Sequence, residues 1–529
     1  MSSFLQSLGY NDWILPALLA IPLLGAAAIL AHGLATRGPQ DDPRRSDAAR
    51  QIAFWTLLLE FVVSLGLWWS YDPSRTGFQA VIDWPWIPLW GVNFALGVDG
   101  IAVMMILLTT FLMPLSVLGG WTGVRTRVHW YHALMLILTT GMLGVFMARD
   151  LFLFYVMWEL MLVPMYFIIG IWGGERRIYA SIKFFIYTMV GSLLMLVAII
   201  YLGVNAADPL TGVPNFSYET ALAGHGMLSG KAVMWLFLAF FAAFAVKVPM
   251  FPFHTWLPDA HTEAPTAGSV ILAGIMLKMG TFGFIRFSLP LFPEAAMHPT
   301  VRAVILTLAV IGIIYGALVA MVQPDFKRLV AYSSVSHLGF VMLGVFALTV
   351  ESMQGAVMVM INHGISTGAL FFLVGMIYER KHSRMIDAFG GIARVVPMFA
   401  ALLTLVALSS IGVPGTNGFV GEFLVLAGSF RTAPVLTLLA TTGVIFAAAY
   451  LLWAIQRILL NPLDKPENLR LTDLNRRELA IMAPLVAVII WLGVYPAPVL
   501  RRMESSARAV VELVNERGTA VQPSGVGMR

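Results

Sequence analysis

The architecture of this chain is set by residues 245–286, which read AVKVPMFPFHTWLPDAHTEAPTAGSVILAGIMLKMGTFGFIR. Two lysines, Lys247 and Lys278, lie among apolar residues, and four prolines, the first of them Pro249, separate them. Proline inside a helix removes a backbone hydrogen bond and breaks or kinks the helix. At membrane depth, unwound backbone is tolerated only where protein or a water-filled cavity surrounds it. We therefore expect a membrane helix that breaks beside a buried lysine.

The rest of the chain has the composition of a membrane protein. Of its 529 residues, 59% are hydrophobic and 12% charged, and the mean hydropathy is +0.83, whereas a soluble domain carries about 25% charged residues. We predict an all-α polytopic membrane protein with about 14 transmembrane helices, of which the seventh and twelfth are broken. The predicted spans are 13–32, 52–69, 100–119, 129–148, 151–172, 183–204, 232–258, 266–288, 301–322, 329–350, 355–378, 397–430, 433–456 and 478–500.

The amino-acid counts exclude several classes of protein. The chain contains no cysteine, so it has no disulfide framework, no thiolate zinc site and no cysteine-ligated iron–sulfur cluster. The net charge of +5 would favour nucleic-acid binding in a soluble protein, but here it reflects basic cytoplasmic loops. We therefore expect no nucleic-acid partner and no redox centre in this chain.

The distribution of positive charge predicts the orientation. Odd-numbered loops between the predicted spans contain 20 Lys and Arg, and even-numbered loops contain 6; positive charge concentrates on the cytoplasmic side. No Lys or Arg precedes the first span, whereas Arg37, Arg44, Arg45 and Arg50 follow it, the reverse of a cleavable signal peptide. We expect a retained first helix and both termini on the outer side.

Two segments outside the predicted spans carry further expectations. Trp84, Trp86 and Trp90 lie between the second and third spans. Tryptophan favours the membrane–water interface, so we expect an interfacial belt there rather than a cofactor cage.

The polar tail from about residue 504 predicts a short amphipathic piece followed by disorder.

Ionisable residues inside the predicted spans are the main candidates for function. Charge at mid-membrane costs about 2.5–3.5 kcal/mol on insertion scales, so helices carry it mainly where it faces a bundle interior and has a role. Gly274, Gly280 and Gly283 around Lys278 should allow close helix approach. Both histidines have Ser or Thr one turn away, as a hydrated path would require. The candidates are Glu60, Glu159, Lys247, Lys278, His337, His363 and Glu422.

The twelfth span contains the same kind of helix interruption as the seventh. The segment LSSIGVPGTNGFVGEFL, residues 408–424, places Pro414 with Gly412, Gly415 and Gly418 in mid-span, before Glu422. Two interrupted helices lie five spans apart, which predicts two inverted five-helix repeats with sites at their interface, as in transporters. We expect an N-terminal three-helix segment at 1–128, repeats at 129–290 and 291–460, and a fourteenth helix with its tail at 461–529.

Each candidate also has a purely structural interpretation. A buried histidine can be a satisfied packing residue, and Glu159 with Lys247 can be a structural ion pair. Glu60 is the one acid of an otherwise apolar span, which favours a structural or subunit-facing position. A further cluster after the broken helix can bind a metal or, as we favour because its loop is short, cap the helix or form an interface. Its members are His254, Asp259, His261 and Glu263.

Residues 245–286 and the segment EFLVLAGSF at 422–430 carry a specific resemblance. The chain resembles, over essentially its whole length, the antiporter-like membrane subunits of proton-pumping NADH:quinone oxidoreductase, respiratory complex I. Glu422 stands where several relatives have lysine, and the chain lacks the long lateral helix of the largest relative. These features favour one branch of the family over the subunits of multisubunit cation/proton antiporters.

The resemblance implies roles for residues, cofactors and partners. It implies that Glu159 and Lys247 pair on helices five and seven, that Lys278 lies on helix eight, and that His337 and His363 connect toward Glu422. It implies that NADH, FMN, iron–sulfur clusters and quinone bind in partner subunits and not in this chain. The implied partners are other membrane-arm subunits, including two flanking antiporter-like subunits, in a bacterial inner membrane or, second, a mitochondrial one.

We expect a proton-translocating membrane-arm subunit of NADH:quinone oxidoreductase. Redox chemistry elsewhere would alter the Glu159–Lys247 pair, Lys247 would pass its proton to Lys278, and water with the histidines would carry it onward. The alternative is a subunit of a multisubunit cation/proton antiporter, against which Glu422 argues. A purely structural subunit would need neither broken helices nor central lysines. A self-contained oxidoreductase is disfavoured because cysteine and a dinucleotide-binding glycine motif are both missing from the sequence.

Overall fold

Apolar helices long enough to cross a bilayer account for most of the chain. The computed structural model describes residues 2–35 and 43–519, and within them 13 helices are long and apolar enough to span a membrane. Two shorter apolar helices correspond to the predicted twelfth span. The predicted class, an all-α polytopic membrane protein, is confirmed. Arg37 and the residues from 520 onward, which include the end of the predicted disordered tail, lie outside the described residues.

The element bounds follow in chain order. The helices are α1 (Ser2–Ser7), α2 (Tyr10–Ala35), α3 (Pro43–Ser64), α4 (Gly66–Ser70), α5 (Gly100–Gly119), α6 (Val128–Met147), α7 (Leu151–Leu160), α8 (Leu162–Trp172), α9 (Arg177–Asn205), α10 (Tyr218–Ala223), α11 (Gly230–Lys247), α12 (Trp256–Glu263), α13 (Thr266–Ile271), α14 (Leu277–Gly283), α15 (Leu289–Leu291), α16 (Pro293–Met297), α17 (Pro299–Met321), α18 (Phe326–Ala347), α19 (Val350–Lys381), α20 (Pro397–Ile411), α21 (Asn417–Phe430), α22 (Pro434–Ile455), α23 (Arg476–Val494) and α24 (Ala497–Thr519). The strands are β1 (Gln79–Ile87) and β2 (Val92–Val98).

The predicted breaks in helices seven and twelve are present. The seventh span, predicted as 232–258, is helical only to Lys247 and resumes as α12 at Trp256. The twelfth, predicted as 397–430, is interrupted between Ile411 and Asn417. In both places the chain contains proline or glycine that cannot continue a regular helix.

Two further irregularities were not predicted. The fifth span divides into α7 and α8 at Met161, because Pro164 has no amide hydrogen for the carbonyl four residues before it. The eighth span contains two π-helical segments, at Leu272–Met276 and Phe284–Ser288, on either side of α14. Each irregularity lies next to a candidate ionisable residue, either Glu159 or Lys278.

A small antiparallel hairpin also departs from the all-helical expectation. Strands β1 and β2 pair with Trp84 opposite Phe94, and the two rings stack with centroids 5.8 Å apart. The indoles of Trp84, Trp86 and Trp90 are about half exposed. The sequence predicts a loop at these tryptophans, because neither strand is an apolar stretch long enough to span a membrane.

The most buried spans form the centre of the bundle. The α13–α15 span and α19 are enclosed along their most apolar stretches, and α18 is nearly so, whereas α9, α22 and α23 leave most of theirs exposed. Helices α18 and α19 pack against each other, and α19 also packs against α21. Because α14, α18, α19 and α21 carry Lys278, both candidate histidines and Glu422, these ionisable groups lie at the centre of the bundle.

The C-terminal region is more ordered than the expected short amphipathic piece. Helix α24 runs over 23 residues and packs against α5, α16 and α19. Ser506 Oγ accepts a hydrogen bond of 2.9 Å from the amide of Gly100. The expected amphipathic piece is therefore present, but it is a full helix that extends to residue 519, because its polar residues cover one face and its other face packs on the bundle.

Candidate functional site

Glu159 and Lys247 lie in neighbouring breaks of the fifth and seventh spans. Glu159 is the last residue but one of α7, and Lys247 is the last residue of α11. The two charges interact electrostatically, but Lys247 Nζ and Glu159 Oε1 are both buried without a hydrogen-bond partner in the described structure. The direct ion pair that we expected is not formed here. Instead, Lys247 Nζ lies 5.4 Å from the ring centroids of both Trp158 and Phe184.

The backbone around the helix-seven break is hydrogen-bonded within the protein. The indole of Trp256 donates to the Val246 carbonyl at 2.9 Å, which links α12 to the end of α11. The amide of Met250 donates to the Ala245 carbonyl, also at 2.9 Å. Because these bonds satisfy the unwound segment, Lys247 is held at the end of a helix inside the protein.

Glycines bring the helix of Lys278 close to that of Lys247. A Cβ atom added to Gly280 would lie 3.0 Å from the Cβ of Lys247 and 2.8 Å from Val248 Cγ2, and one added to Gly283 would lie 2.5 Å from the Phe244 ring. The expectation that these glycines allow close helix approach is confirmed. The two lysines therefore lie on helices packed backbone to backbone.

Lys278 is fully buried and makes two polar contacts. Its Nζ donates to the Ala273 carbonyl and lies 2.6 Å from His363 Nδ1. The π-helical segment explains the first contact, because the amide of Leu277 bonds to Leu272 instead of to Ala273, its partner in a regular helix. The Ala273 carbonyl is thereby left for the ammonium group.

The histidines and Glu422 continue the row from Lys278. The rings of His363 and His337 have centroids 5.7 Å apart, and His337 Nδ1 lies 3.1 Å from Glu422 Oε1. A cavity of about 20 Å³ adjoins all three side chains, enough for about one water molecule. Direct contacts and this cavity join Lys278, His363, His337 and Glu422 into what we call the central row. Only the step between the two imidazoles needs a bridging water.

A polar network that the sequence analysis missed supports the central row. Asn417 Oδ1 accepts hydrogen bonds from Ser409 Oγ at 2.5 Å and Ser366 Oγ at 3.2 Å. Asn362 Nδ2 donates to the Asn417 carbonyl at 2.5 Å. These residues line or adjoin the cavity and join α19 to both halves of the broken helix twelve. The signal in the sequence was the position of Asn417 at the break, beside the glycines.

Glycine is required where Glu422 approaches the break. Gly412 has φ +83°, and a Cβ atom there would lie 2.8 Å from Glu422 Oε2. Both the positive φ and the contact exclude larger residues. The break in helix twelve therefore creates the space in which the carboxylate meets His337.

Glu60 lies in a different part of the bundle from the central row. It is fully buried in α3, and neither carboxylate oxygen has a hydrogen-bond partner among the described residues. One turn later, Ser64 Oγ lies 2.8 Å from Thr110 Oγ1. The structure thus places Glu60 at the packed interface of α3 with α5.

Three of the four residues of the possible metal cluster contact different partners. Asp259 pairs with Lys183 at 2.7 Å, and a carboxylate oxygen of Glu263 accepts from the Arg176 amide at 2.9 Å. His261 stacks on the ring of Phe371 with centroids 4.8 Å apart. Within residues 2–35 and 43–519, no group of three or more His, Asp or Glu side chains could hold a metal ion. The contacts of Asp259 and Glu263 instead join α12 to neighbouring segments.

Two basic residues outside the predicted spans hold the end of α12. Lys327 is buried and donates to the Ala264 carbonyl at 2.5 Å, and Arg384 donates to the Thr262 carbonyl at 2.6 Å. Cations at a helix carboxyl end stabilise it. These residues fix the second half of the broken helix against α18 and the segment after α19.

Comparison with known proteins places this arrangement in a family. Residues 148–447 match the family described as NADH:quinone oxidoreductase/Mrp antiporter, TM. This range contains all the residues of the central row together with Glu159 and Lys247. Its boundaries exclude the first four spans, the hairpin, α23 and α24.

Two curated relatives are similar over nearly the whole chain. NADH-quinone oxidoreductase subunit M of Rhodobacter capsulatus is 46% identical over 494 residues, covering 92% of this chain and 94% of the relative. NADH-ubiquinone oxidoreductase chain 4 of Marchantia polymorpha is 40% identical over 499 residues, covering 94% of this chain and 97% of the relative. The similarity therefore includes the regions outside 148–447.

A solved structure has the same fold. A chain of respiratory complex I from Thermus thermophilus with bound NADH superposes with a TM-score of 0.83 at 33% identity. The match covers 94% of this chain and 99% of that chain. Sequence and structure thus agree, and the chain belongs to the NADH:quinone oxidoreductase/Mrp antiporter membrane-protein family, in the branch whose members are called NADH-quinone oxidoreductase subunit M or NADH-ubiquinone oxidoreductase chain 4.

Proposed function

We propose that protons cross this chain along the central row and that the Glu159–Lys247 pair controls their supply. The chain is a proton-translocating membrane-arm subunit of NADH:quinone oxidoreductase. The observation that carries the proposed path is the buried sequence of contacts from Lys278 through His363 and His337 to Glu422, with a water-sized cavity between them. Every member of this row can accept and release a proton.

The separation of Glu159 from Lys247 suggests how the supply is switched. Burial penalises the ammonium form of a lysine, whereas a nearby carboxylate favours it. When Glu159 approaches, Lys247 holds a proton; when Glu159 withdraws, Lys247 releases it toward Lys278. In the present structure the two side chains are not hydrogen-bonded to each other, which corresponds to the releasing arrangement.

The energies required are attainable with side-chain movements alone. Moving one charge against about 100 mV costs about 2.3 kcal/mol. A pKa change of about two units corresponds to about 2.7 kcal/mol. A change in the distance between a buried carboxylate and a buried ammonium group that produced this pKa change would therefore be sufficient to drive one proton.

We propose a direction of transfer that rests on the predicted orientation. We place the basic loops on the inner side and both described ends of the chain on the outer side, so that Lys247 draws protons from the inside and Glu422 releases them outside. The spans 129–290 and 291–460 would be inverted repeats, with an N-terminal segment at 1–128 and a C-terminal segment at 461–529. We favour a bacterial inner membrane, with a mitochondrial membrane second.

The flanking antiporter-like subunits and the redox groups would be found in the rest of the complex. This chain is a multi-pass membrane protein whose relatives belong to multisubunit complexes. We propose that two antiporter-like subunits flank it in the membrane arm. NADH, FMN, iron–sulfur clusters and quinone would bind elsewhere in the complex, since the chain has no cysteine to ligate a cluster.

A cation/proton antiporter subunit is the second candidate, because the matching family includes Mrp antiporters. Inverted membrane vesicles that contain the assembled complex distinguish the two. We expect proton uptake on addition of NADH, abolished by a quinone-site inhibitor. We expect no proton movement when a sodium or potassium gradient is imposed without NADH. Cation-driven proton exchange that is lost in Lys247→Ala vesicles would instead support the antiporter.

The close approach of the two lysine helices gives a second test. Gly280→Val should force α14 away from Lys247 and Val248, since overpacking costs about 1–3 kcal/mol. We expect less assembled complex, and a lower proton uptake per assembled complex. Gly312→Val is the matched control, because nothing lies within 4 Å of a Cβ atom at Gly312. Equal behaviour of the two variants in native gels and pumping assays would show that this contact is unimportant.

A further inference from the structure

An apolar groove opens between the N-terminal helices and the end of the chain. It has a volume of about 300 Å³ and lies between α3, α4, α5, α19 and α23, within the range of small-molecule pockets. Among the described residues, no charged side chain lines it. Its walls include Phe61, Phe111, Ile361, Ile365 and Val488. A site of this composition in a membrane accepts hydrocarbon.

One end of the groove is aromatic and cationic. Trp68 and Trp491 meet there with ring centroids 6.3 Å apart. The Arg502 guanidinium lies 3.7 Å from the centroid of the Trp68 ring, and its Nη2 donates to the Trp68 carbonyl at 2.7 Å. Arg501, the preceding residue, is exposed. Tryptophan and arginine together are typical of the depth at which lipid head groups lie.

The charge at this end is positive. Arg501 lines an outer crevice with Glu504, Arg508 and Glu512. Glu504 is paired with Arg508 at 2.9 Å, so it does not neutralise Arg501. Glu512 lies about three helical turns further along α24. An anionic group at this end of the groove would therefore be close to Arg502, which lies on the groove-lining Trp68, and to Arg501, the next residue, which faces the adjoining crevice.

We infer that this groove binds a phospholipid, with one acyl chain between α3, α5 and α23 and the phosphate at Arg501 and Arg502. Arginine recognises phosphate through charge-assisted hydrogen bonds. A neighbouring helix is about 10–12 Å wide with its side chains and does not fit a groove of this volume. A quinone has an isoprenoid tail but a neutral head group, which gives the two arginines no partner.

The position of the groove suggests what the lipid does. Ile361 and Ile365 line the groove from one face of α19, whereas Asn362, His363 and Ser366 line the cavity of the central row from another face. One helix thus separates the acyl chain from the proton path. The acyl chain would keep water away from the face of α19 that lines the groove. This consequence, unlike the binding itself, rests on the proposed function.

The binding is tested on the whole purified complex with a photoactivatable phosphatidylglycerol that carries a diazirine near the middle of one acyl chain. We expect crosslinks, located by mass spectrometry, on the groove-lining residues of α3, α5 and α23. Val488→Trp should fill the groove and lower this labelling by about fivefold or more. Val197→Trp, at an exposed site on α9, is the matched control and should leave it unchanged.

The head-group contact has its own variants and probes. Arg501→Gln should weaken labelling by about fivefold, as expected for the loss of a charge-assisted hydrogen bond. A diacylglycerol probe, which lacks the phosphate, should label the groove less than phosphatidylglycerol does. Labelling that is unchanged in both Val488→Trp and Arg501→Gln would overturn the inference. So would preferential labelling by a photoactivatable quinone, or crosslinks from a neighbouring subunit in the groove. None of these measurements requires turnover, so their failure would leave the proposed proton path untouched.

Discussion

Replacing Lys278 with methionine is expected to stop NADH-driven proton pumping and to slow NADH:quinone turnover about tenfold or more, equivalent to about 1.4 kcal/mol or more on the barrier. Lys278 is the only member of the central row that contacts His363 from the side of Lys247 in the described structure. Methionine preserves most of the side-chain volume, so the packing should survive. Without an ionisable group at this position, a proton from Lys247 has no acceptor.

The control for this variant is Lys231→Met. Lys231 is exposed near the start of α11, and its loss changes the net charge by the same amount without touching the row. Both variants are compared at equal amounts of assembled complex, measured on native gels. If Lys278→Met pumps at the rate of the control, protons do not pass through this position and the proposed path is wrong.

Removing either member of the Glu159–Lys247 pair is expected to have an equally large effect. Lys247→Ala removes the proton carrier, and Glu159→Gln removes the charge that lets the lysine hold its proton in a buried site. Pumping and turnover should fall together, by about tenfold, because a tightly coupled machine cannot oxidise NADH without moving protons. Proton uptake and NADH oxidation are measured on the same inverted vesicles.

Matched controls separate this effect from general damage. Lys231→Ala lies on the same helix as Lys247, and Glu175→Gln changes an exposed acid just after α8. Both should retain turnover and pumping. A structural ion pair would lower the amount of assembled complex but leave the activity of each assembled complex intact. That outcome would assign the pair a role in stability alone.

The sequence predicted the spans and their breaks because the responsible signals are local. Apolar stretches indicate membrane helices, and Pro249 and Pro414 indicate breaks in those helices. The kink at Met161 follows from Pro164, a signal that was present but not used. The hairpin of β1 and β2 was not predicted, since its strands of 9 and 7 residues are much shorter than the apolar stretches that indicate membrane helices.

The candidate site was predictable as a set of residues but not as an arrangement. The cost of burying charge in a membrane singled out the lysines, the histidines and the acids. It could not tell that Lys278 meets His363 while Glu159 and Lys247 stay apart, because helix neighbours and rotamers are set by packing. Asn417 was not predicted as a site residue, because burying a neutral amide costs less free energy than burying a charge.

The central claim is that proton transfer through this chain is obligatory for turnover. The most direct test is the rate of proton uptake, and the number of protons taken up per NADH oxidised, in inverted vesicles containing equal amounts of assembled wild-type and Lys247→Ala complex. The account predicts that uptake and NADH oxidation both fall about tenfold in the variant. Unchanged uptake and unchanged oxidation would contradict it.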